Sequence, residues 1–305
     1  MAMNNIDTVQ RSFMIGDSWL YYKVYTGHKT ADRILAEVIR PLAQRLLNEC
    51  MIEKWFFIRY SDPKPHLRIR FCLKDKGAVS SIITLFYDSL SLYVKEELVW
   101  KFQIEDYHRE LERYGHNTME EAESLFQYDS QFVVSLLNLI EGEEGEELKW
   151  LLALRGIDSL LSAFNYSLEE KLNLTDKMKN SFANEFGMSR FLKKQLDEKY
   201  RVFRKKIDQF LNESLQQEQE LAPILVLLKQ REVGLKAVAK QISLKEKDQV
   251  IHISIDDLMS SYIHMFMNRL FRSQNRKYEL VIHDFLHRSY NSQHARLRHQ
   301  KSDQP

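Results

Sequence analysis

The chain has 305 residues, of which 44% are hydrophobic and 29% are charged, a balance typical of a soluble globular protein with its own core. Its 44 Lys and Arg residues nearly cancel its 43 Asp and Glu residues, so the net charge gives no reason to expect a nucleic-acid partner. Two cysteines, Cys50 and Cys72, are too few for a disulfide framework or a thiolate metal site.

The chain lacks the short motifs of several enzyme classes. With only 9 glycines it contains no GxGxxG, GxxxxGK(S/T) or GxSxG sequence, and HExxH is absent as well. Nucleotide-binding, α/β-hydrolase and zinc-protease interpretations are therefore weak. No uncharged apolar run approaches the length of a membrane span, and residues 1–13 carry no signal-peptide core. We expect a reduced, cytoplasmic protein that uses no metal and no cofactor.

The first third of the chain alternates between strand-like and helical segments. Aromatic and β-branched runs predict strands, and apolar residues at helical spacing predict helices. In chain order these are a strand at 18–25, a helix at 30–49, strands at 55–60 and 67–73, a helix at 77–93 and a strand at 98–104. Pro41 predicts a kink or an early break in the first helix. The βαββαβ order is that of the ferredoxin-like unit.

After Gly115 the sequence becomes mostly helical. A capping-box sequence from Thr118 to Glu121 opens the first of these helices. The later predicted features are an acidic loop at 141–147, a highly charged helix at 189–217, a short strand or loop at 249–253, a helix capped at 254–257 and frayed residues at 294–305. We therefore predict an α+β fold, in which a ferredoxin-like unit at 1–115 packs with a helical part at 116–305.

Several histidines near the end of the chain raise the question of a metal site. They are His283, His287, His294 and His299. The first two lie four residues apart, as metal ligands on one helix do, but no carboxylate or thiolate stands at ligand spacing beside them. We therefore expect no metal here.

Two arginines share one face of the strand predicted at 67–73. Side chains alternate along a strand, which places His66, Arg68 and Arg70 on the same side. Guanidinium groups about 7 Å apart repel each other unless an anion lies beside them. A carboxylate or a phosphate is the natural partner of such a pair. The alternative is an exposed strand face with both arginines in water.

A third arginine, Arg113, lies in the sequence YHRELERYG after the fourth predicted strand. Glu110 and Glu112 flank it, so neutralisation by a local carboxylate is the simplest interpretation. The second and fourth strands of a βαββαβ unit occupy opposite edges of the sheet. Topology therefore does not place this loop beside Arg68.

Residues 258–271 predict a helix that is apolar nearly all round, which indicates a buried element. His264, Asn268 and Arg269 are embedded in it, and the first two lie one turn apart. Buried polar side chains are costly without partners. The three residues either belong to a structural network or line a cleft, and we favour the cleft.

Four motifs, taken in order, resemble the C-terminal elimination domain of the lantibiotic dehydratases, which also occurs as separate thiopeptide-type bacteriocin biosynthesis proteins. They are WLYYKVYTG, WFFIRYSDPKPHLRIRF, YHRELERYG followed by an acidic helix, and IHMFMNRLF. The resemblance runs from about Trp19 to Phe271, and residues 129–250 match only in being helical. His116 departs from the family pattern, which has a second glycine there, so we expect an altered loop around Arg113.

The resemblance implies a glutamate elimination. In this family a partner esterifies Ser or Thr of a precursor peptide with glutamate, and the elimination domain removes the glutamate to leave dehydroalanine or dehydrobutyrine. The candidate catalytic residues are Arg68, Arg70, Arg113 and His264, and the candidate substrate-binding residues are His66, Asn268 and Arg269.

The chemistry of elimination suits these residue types. Arginines can bind the glutamyl carboxylate and can stabilise negative charge on an enolate or a leaving group. We expect Arg68 and Arg70 to bind the glutamyl group. We expect Arg113 to stabilise the charge on the enolate or the leaving group. Histidine is the residue type suited to proton transfer near neutral pH, so His264 is the candidate for this role, and a hydrogen bond from it to the enolate is the alternative.

Other functions fit the same resemblance. Thiopeptide pyridine synthases share the fold but join two dehydroalanines in a formal [4+2] cycloaddition, and a non-catalytic subunit would bind a leader peptide at a sheet edge. A reassigned site on the same fold is a further alternative. We favour elimination because glutamate binding needs the arginines that are present.

The expected partners follow from the elimination reading. They are a glutamylated precursor peptide and a separate glutamyl-tRNA-dependent glutamylation protein, since the chain has no counterpart of the glutamylation domain. We expect no direct contact with nucleic acid or membrane. A homodimer is compatible with the family.

Overall fold

A computed structural model of the chain describes residues 9–140, 142–187, 189–212 and 219–302. These residues form two compact units. The first extends to Leu139 and includes Ala237–Ser273, and the second consists of Ile140–Lys236 and the residues from Gln274 onward. The first unit mixes strands and helices, and the described elements of the second are all helical. The α+β class predicted from the sequence is therefore confirmed.

The described elements follow one another along the chain. From the N-terminus they are β1 (Ser12–Phe13), β2 (Trp19–Thr26), α1 (His28–Arg33), a π-helical segment (Ile34–Ile39), α2 (Arg40–Asn48), β3 (Ile52–Ser61), β4 (Pro65–Leu73), a 3₁₀ turn (Lys76–Ala78), α3 (Val79–Lys95), β5 (Val99–Glu105), β6 (Tyr107–His108), α4 (Leu111–Tyr114) and α5 (Met119–Leu136). They continue with α6 (Gly142–Ala163), α7 (Leu168–Phe186), α8 (Arg190–Leu211), a 3₁₀ turn (Gln219–Leu221), α9 (Ala222–Lys247), α10 (Ile255–Leu270) and α11 (Asn275–Ser302).

The four long strands of the first unit form one antiparallel sheet in the order β3–β4–β2–β5. This is the predicted βαββαβ unit, and β3 and β5 lie at opposite edges as expected. The core face of β4 carries Leu67, Ile69 and Phe71, all buried. Tyr22 of β2 stacks on Phe86 of α3 with 4.1 Å between the ring centroids. The opposite face of the sheet is left for the polar side chains of β4.

The first helical stretch does not end at Pro41. The chain stays helical from α1 to the end of α2, and the π-helical segment lies just before the proline, which occupies the first turn of α2. Pro41 lacks the N–H that would continue the helical hydrogen bonds, and the π-helical segment directly before it changes the hydrogen-bond register at this point. The predicted break is therefore a change from π to α geometry.

The capping box predicted at Thr118 is wrong. Thr118 is the N-cap of α5, but its side chain makes no capping bond and donates instead to the backbone carbonyl of Tyr114. The side chain of Glu121 accepts a hydrogen bond from Lys245 at 2.6 Å. The two side chains that the box would have joined are thus both engaged elsewhere.

The acidic loop predicted at 141–147 is also wrong, apart from Glu141, which lies outside the described residues. The chain is helical from Gly142 onward. Glu146 pairs with Lys149 one turn later at 2.7 Å, and Glu147 pairs with Lys206 of α8. Such pairs offset the repulsion between neighbouring carboxylates.

The later predicted features agree only in part with the structure. Residues 249–253 contain no strand and are a loop, and Ser254 caps α10 by accepting from the N–H of Asp257 at 3.1 Å. The charged helix is α8, capped by Ser189, while residues 213–218 of the prediction lie outside the described residues. The predicted frayed end is helical to Ser302, and residues 303–305 are likewise not described.

The histidines of α11 do not form a metal site within the described part of the chain. No group of three or more His, Cys, Asp or Glu side chains is placed there to hold a metal ion. His283 is completely buried and stacks on Phe182 with 5.4 Å between the ring centroids. Burial lowers the pKa of His283 to about 3, so its ring is neutral at physiological pH.

One helix passes a length and composition test for a membrane span. Residues Lys76–Lys95 form it, and Asp88 interrupts the apolar run within this segment. In the first unit this helix buries Ile82, Phe86 and Leu90, and a core helix of a soluble protein passes the same test. A cytoplasmic location therefore stays a prediction.

The division of the chain at residues 115 and 116 also stays a prediction. In the structure, α5 contacts β3, and α10 contacts α4, α5 and β3. These helices therefore belong to the same compact unit as the sheet, although they follow residue 115 in the sequence.

Candidate active site

The polar face of the sheet is organised in rows across β2, β4 and β3. Arg70 lies between Tyr21 and Phe56, Arg68 lies between Lys23 and Ile58, and His66 lies between Tyr25 and Tyr60. Directly paired residues point to the same face of an antiparallel sheet. The prediction that His66, Arg68 and Arg70 share one face is therefore confirmed.

Arg70 is buried among aromatic rings. Its guanidinium carbon lies 4.3 Å from the ring centroid of Tyr21, 4.8 Å from that of Tyr107 and 5.3 Å from that of Phe56. The residue is only 7% exposed, so the water-exposed alternative is wrong for Arg70. Its Nε has no hydrogen-bond partner among the described residues, where Arg70 also forms no ion pair. A buried guanidinium that contacts aromatic rings but no carboxylate is a candidate for binding an anion.

Arg68 is half-buried and held by two contacts. Its guanidinium carbon lies 3.5 Å from the ring centroid of Tyr60, and its Nε donates to Nε2 of His66 at 3.1 Å. Within the described part of the chain, Arg68 forms no ion pair with a carboxylate. Its two terminal nitrogens therefore have no acidic side chain as a partner.

His66 is buried beside Arg68 and has a defined tautomer. Its Nδ1 lies 2.9 Å from the carbonyl oxygen of Lys64 and therefore donates, which leaves Nε2 as the acceptor for Arg68. The ring stacks on Tyr25 with 4.6 Å between the centroids. Burial is the largest influence on the pKa of His66 and lowers it. The ring is therefore neutral at physiological pH.

The rest of this face is dominated by positive charge. Lys23 pairs with Glu105 of β5, and the Nζ atom of Lys101 lies 5.1 Å from the ring centroid of Tyr25. Burial raises the pKa of the Tyr21 phenol despite the nearby arginines, so this side chain stays neutral. Of the four cations Arg68, Arg70, Lys23 and Lys101, Lys23 is the one that pairs with a carboxylate among the described residues, that of Glu105. The surface is suited to an anion.

Arg113 lies on α4 and contacts α10. Its Nε donates to the hydroxyl of Ser261 at 3.2 Å, and its Nη1 lies 3.5 Å from the carboxylate of Glu110. Glu112 pairs instead with Arg11. The prediction that a neighbouring carboxylate neutralises Arg113 is therefore confirmed for Glu110 and wrong for Glu112. At this distance and with a side chain 34% exposed, the pair leaves Arg113 accessible to a ligand.

The loop that carries Arg113 needs glycine at one position. Gly115 has φ of 77°, and a Cβ atom there would lie 2.7 Å from the hydroxyl oxygen of Thr118. His116 is exposed and is not among the residues with positive φ. The departure from the family pattern at His116 therefore imposes no left-handed backbone conformation on a non-glycine residue.

His264 is half-buried on α10, between Ser261, which contacts Arg113, and Asn268, which contacts the backbone of Arg59. Ser261, the partner of Arg113, precedes it by one turn, and Asn268 follows it by one turn. Residues three or four apart on a helix share a face. This arrangement places His264 on the same helical face as the Arg113 contact.

Asn268 and Arg269 are engaged in the packing of α10. Asn268 pairs with the backbone N–H and C=O of Arg59 on β3 at 3.0 and 2.9 Å. Arg269 is fully buried, donates to the carbonyl of Met265 at 2.9 Å and lies 4.6 Å from the ring centroid of Phe126. These contacts support the structural network rather than the cleft for these two residues. Their role in substrate binding stays a prediction.

A buried network that the sequence did not reveal adjoins Arg70 through Tyr107. Arg109 donates two hydrogen bonds of 2.7 Å to the carboxylate of Glu123, and the hydroxyl of Tyr107 donates to the same carboxylate at 3.0 Å. Tyr107 is also one of the rings around Arg70. Because Tyr107 and Arg109 are two residues apart in an extended segment, the sequence could have predicted that they share a face. No feature of the neighbouring sequence indicated that both would bind Glu123 on α5.

Comparisons with known proteins agree with this architecture. The family described as lantibiotic biosynthesis dehydratase C-term matches residues 19–290. The subtilin biosynthesis protein SpaB of Bacillus subtilis is 30% identical over 174 residues, covering 56% of this chain and 16% of SpaB. The nisin biosynthesis protein NisB of Lactococcus lactis subsp. lactis is 27% identical over 279 residues, covering 87% of this chain and 25% of NisB. The chain thus spans a quarter or less of these relatives.

Solved structures share the fold at low sequence identity. The tRNA-dependent lantibiotic dehydratase MibB from Microbispora has a TM-score of 0.70 at 20% identity, and the match covers 93% of this chain and 29% of MibB. TsrL has a TM-score of 0.65 at 12% identity and is covered over 96% of its length. The pyridine synthase TbtD, from thiomuracin biosynthesis, has a TM-score of 0.63 at 12% identity; the match covers 90% of this chain and 99% of TbtD.

The family match covers most of the chain and includes β2, β4, α4 and α10, the elements that carry the candidate residues. It confirms the resemblance drawn from the four sequence motifs. The chain belongs to the family of C-terminal domains of the lantibiotic biosynthesis dehydratases.

Proposed function

We propose that this chain eliminates glutamate from glutamylated Ser or Thr residues of a precursor peptide, leaving dehydroalanine or dehydrobutyrine. The observation that carries the proposal is Arg70, a guanidinium buried among three aromatic rings without an ion pair in the described part of the chain. Arg68 lies on the same face of the sheet, likewise without a described carboxylate partner. Together they suit the carboxylate of a glutamyl group.

The reaction breaks the Cα–H and Cβ–O bonds and forms a base–H bond and a Cα–Cβ double bond. A base takes the Cα proton of the esterified residue, and the electron pair left behind is held as an enolate with the neighbouring carbonyl. That pair then forms the Cα–Cβ double bond as the Cβ–O bond breaks, and glutamate leaves with the bonding electrons as a carboxylate. Negative charge therefore develops first on the enolate and then on the leaving group, so fixed cations lower the barrier most effectively.

Arg68 and Arg70 bind the glutamyl group in this proposal. The rings around Arg70 exclude water, and an ion pair is stronger in such a low-dielectric setting than at an exposed surface. The stacking of Arg68 on Tyr60 sets the plane of its guanidinium, which favours two parallel hydrogen bonds to a carboxylate.

Arg113 and His264 serve the reacting atoms. Arg113 is accessible and is tied by Ser261 to α10, so it can stabilise the enolate or the leaving carboxylate. His264 lies one turn from Ser261 and is the candidate for moving the Cα proton. A hydrogen bond from His264 to the enolate is the alternative role.

A second candidate function is the cycloaddition of two dehydroalanines. The observation in its favour is that the structural match covers 99% of the pyridine synthase TbtD. We rank it below elimination because joining two uncharged alkenes gives no role to two arginines that lack a carboxylate partner among the described residues.

The test uses the purified chain and a synthetic peptide that carries one glutamyl ester on serine. This synthetic ester takes the place of the proposed glutamylated precursor. The assay therefore does not need the proposed partner, a separate glutamyl-tRNA-dependent enzyme. Mass spectrometry should show loss of glutamate and formation of dehydroalanine. In heavy water, recovered ester that has taken up deuterium at Cα would identify proton removal as an early step.

Two other outcomes of the same test would overturn the proposal. If the ester persists but a peptide with two dehydroalanines is cyclised, the cycloaddition is correct. If neither peptide changes but the precursor binds, the chain is a peptide-binding subunit. A variant with Arg40→Ala, which removes an exposed arginine from α2, serves as the control for general effects of lost charge.

A further inference from the structure

We propose that neutral His66 is a positioning residue for Arg68, rather than a residue that touches the substrate. By accepting a hydrogen bond from Nε of Arg68, His66 fixes the guanidinium so that its two terminal nitrogens face the glutamyl carboxylate. This inference rests on the proposed function and assigns to His66 a role within the same site.

Two contacts together define the orientation of Arg68. The ring of Tyr60, 3.5 Å from the guanidinium carbon, sets the plane of the group. Nε2 of His66, 3.1 Å from Nε, sets its rotation within that plane. With Nε occupied, the edge formed by the two terminal nitrogens is the one that remains for a carboxylate.

His66 itself has little freedom to turn. Its Nδ1 donates to the carbonyl of Lys64 at 2.9 Å, and its ring stacks on Tyr25. The residue is 3% exposed, and neither ring nitrogen is left over to serve a substrate. These features fit a residue that orients another better than one that binds a ligand.

The arrangement requires an uncharged ring. A proton on Nε2 would replace the acceptor by a donor and put a positive charge 3.1 Å from the Arg68 guanidinium. The charged and titratable side chains that face His66 are Lys23 and Tyr25 on β2, Tyr60 on β3, Arg68 on β4, and Lys101 and Glu105 on β5. Burial lowers the pKa of His66, the Lys64 hydrogen bond and Glu105 raise it, and the cations Arg68 and Lys23 lower it, with a net decrease.

Two substitutions test separately the hydrogen bond from His66 to the Lys64 carbonyl and the hydrogen bond from Arg68 to His66. In His66→Asn the amide nitrogen can replace Nδ1 and keep the bond to Lys64, but no acceptor reaches Arg68. In His66→Gln the longer side chain places its carbonyl oxygen near the position of Nε2 and can accept from Arg68. A purely structural role would make both variants fail together.

The kinetic test compares these variants on the glutamylated peptide. For His66→Asn we expect KM to rise about tenfold with kcat within about threefold of the wild type, because one charge-assisted hydrogen bond is lost. For His66→Gln we expect KM within about threefold of the wild type. As the pH is lowered below 6.5, the KM of the wild type should rise once the His66 ring takes up a proton, whereas that of His66→Gln should stay flat. Equal KM values for the two variants would overturn the proposal.

A second measurement does not depend on the reaction. The Nε–H resonance of Arg68, assigned by its loss in Arg68→Lys, should shift in step with the titration of the His66 ring and lose this dependence in His66→Asn. If the peptide test shows no elimination but this coupling is present, the proposed function fails while the positioning of Arg68 stands. An Arg68 resonance that ignores the His66 titration would overturn the positioning role itself.

Discussion

The side chain of Asn268 on α10 pairs with both backbone groups of Arg59 on β3. It accepts from the N–H at 3.0 Å and donates to the C=O at 2.9 Å. One amide side chain thus supplies the two hydrogen bonds that a neighbouring strand would form at this sheet edge. Asn268 fixes α10, and with it His264 one turn away, against the strand that carries Tyr60.

Removing this pairing should destabilise the protein. Asn268→Ala leaves two backbone groups of Arg59 without partners, and we expect the free energy of unfolding to fall by about 2 kcal/mol. Urea denaturation measures the change. Asn48→Ala, at an exposed position on α2, should cost less than about 0.5 kcal/mol and is the matched control. An Asn268→Ala variant as stable as the control would contradict the role of this pair.

A buried carboxylate holds the same region together. Asp32 pairs with Arg59 at 2.6 Å and also with Arg272. We expect Asp32→Asn to cost about 3 kcal/mol at pH 7, because it leaves the buried Arg59 charge without its ion-pair partner. The exposed Asp88→Asn on α3 is the control and should have little effect.

The effect of Asp32 should depend on pH in a defined direction. Burial acts to raise the pKa of Asp32, but Arg59 and Arg272 outweigh it, so the pKa lies below its usual value of 3.8. A carboxylate with a lowered pKa contributes stability above its unfolded pKa and loses it as the pH falls through the folded pKa. The stability difference between wild type and Asp32→Asn should therefore be constant near neutrality and shrink below pH 3.8. A difference that instead grows on acidification would show that the folded pKa is not lowered.

The loop after α4 should resist substitution at Gly115 and tolerate it at His116. Gly115→Ala requires a positive φ of an alanine and moves a Cβ atom to within 2.7 Å of the Thr118 hydroxyl, so we expect a loss of about 1–3 kcal/mol. His116→Gly restores the glycine of the family pattern and should change stability by less than about 1 kcal/mol. Thermal unfolding of both variants decides the matter. Equal losses would mean that the loop conformation is not set by Gly115.

Strand alternation was enough to predict which side chains share the sheet face. It placed His66, Arg68 and Arg70 together because side chains two residues apart point the same way. It did not predict that Arg70 is buried, because Tyr107 reaches it from beyond the end of the sheet. Exposure of a strand face depends on what packs over it, and that information is not in the strand itself.

For the helices, too, the local sequence predicted burial but not the contacts between residues distant in the sequence. The apolar circumference of residues 258–271 correctly predicted a buried helix, since burial on all sides leaves that pattern. The pairing of Asn268 with Arg59 joins residues distant in sequence, so no local signal indicated it. At Thr118 the local pattern was misleading, because a backbone carbonyl of the preceding turn captured the hydroxyl that the capping box required.

Arg70, whose guanidinium has no ion-pair partner in the described part of the chain, is proposed to bind the glutamyl group that is eliminated. The most direct measurement is the single-turnover rate of glutamate release from the esterified peptide by wild type, Arg70→Ala and the control Arg40→Ala. We expect Arg40→Ala to match the wild type and Arg70→Ala to be slower by about a hundredfold or more, while its circular dichroism stays that of the wild type. A folded Arg70→Ala variant that releases glutamate at the wild-type rate would show that Arg70 does not bind the glutamyl group.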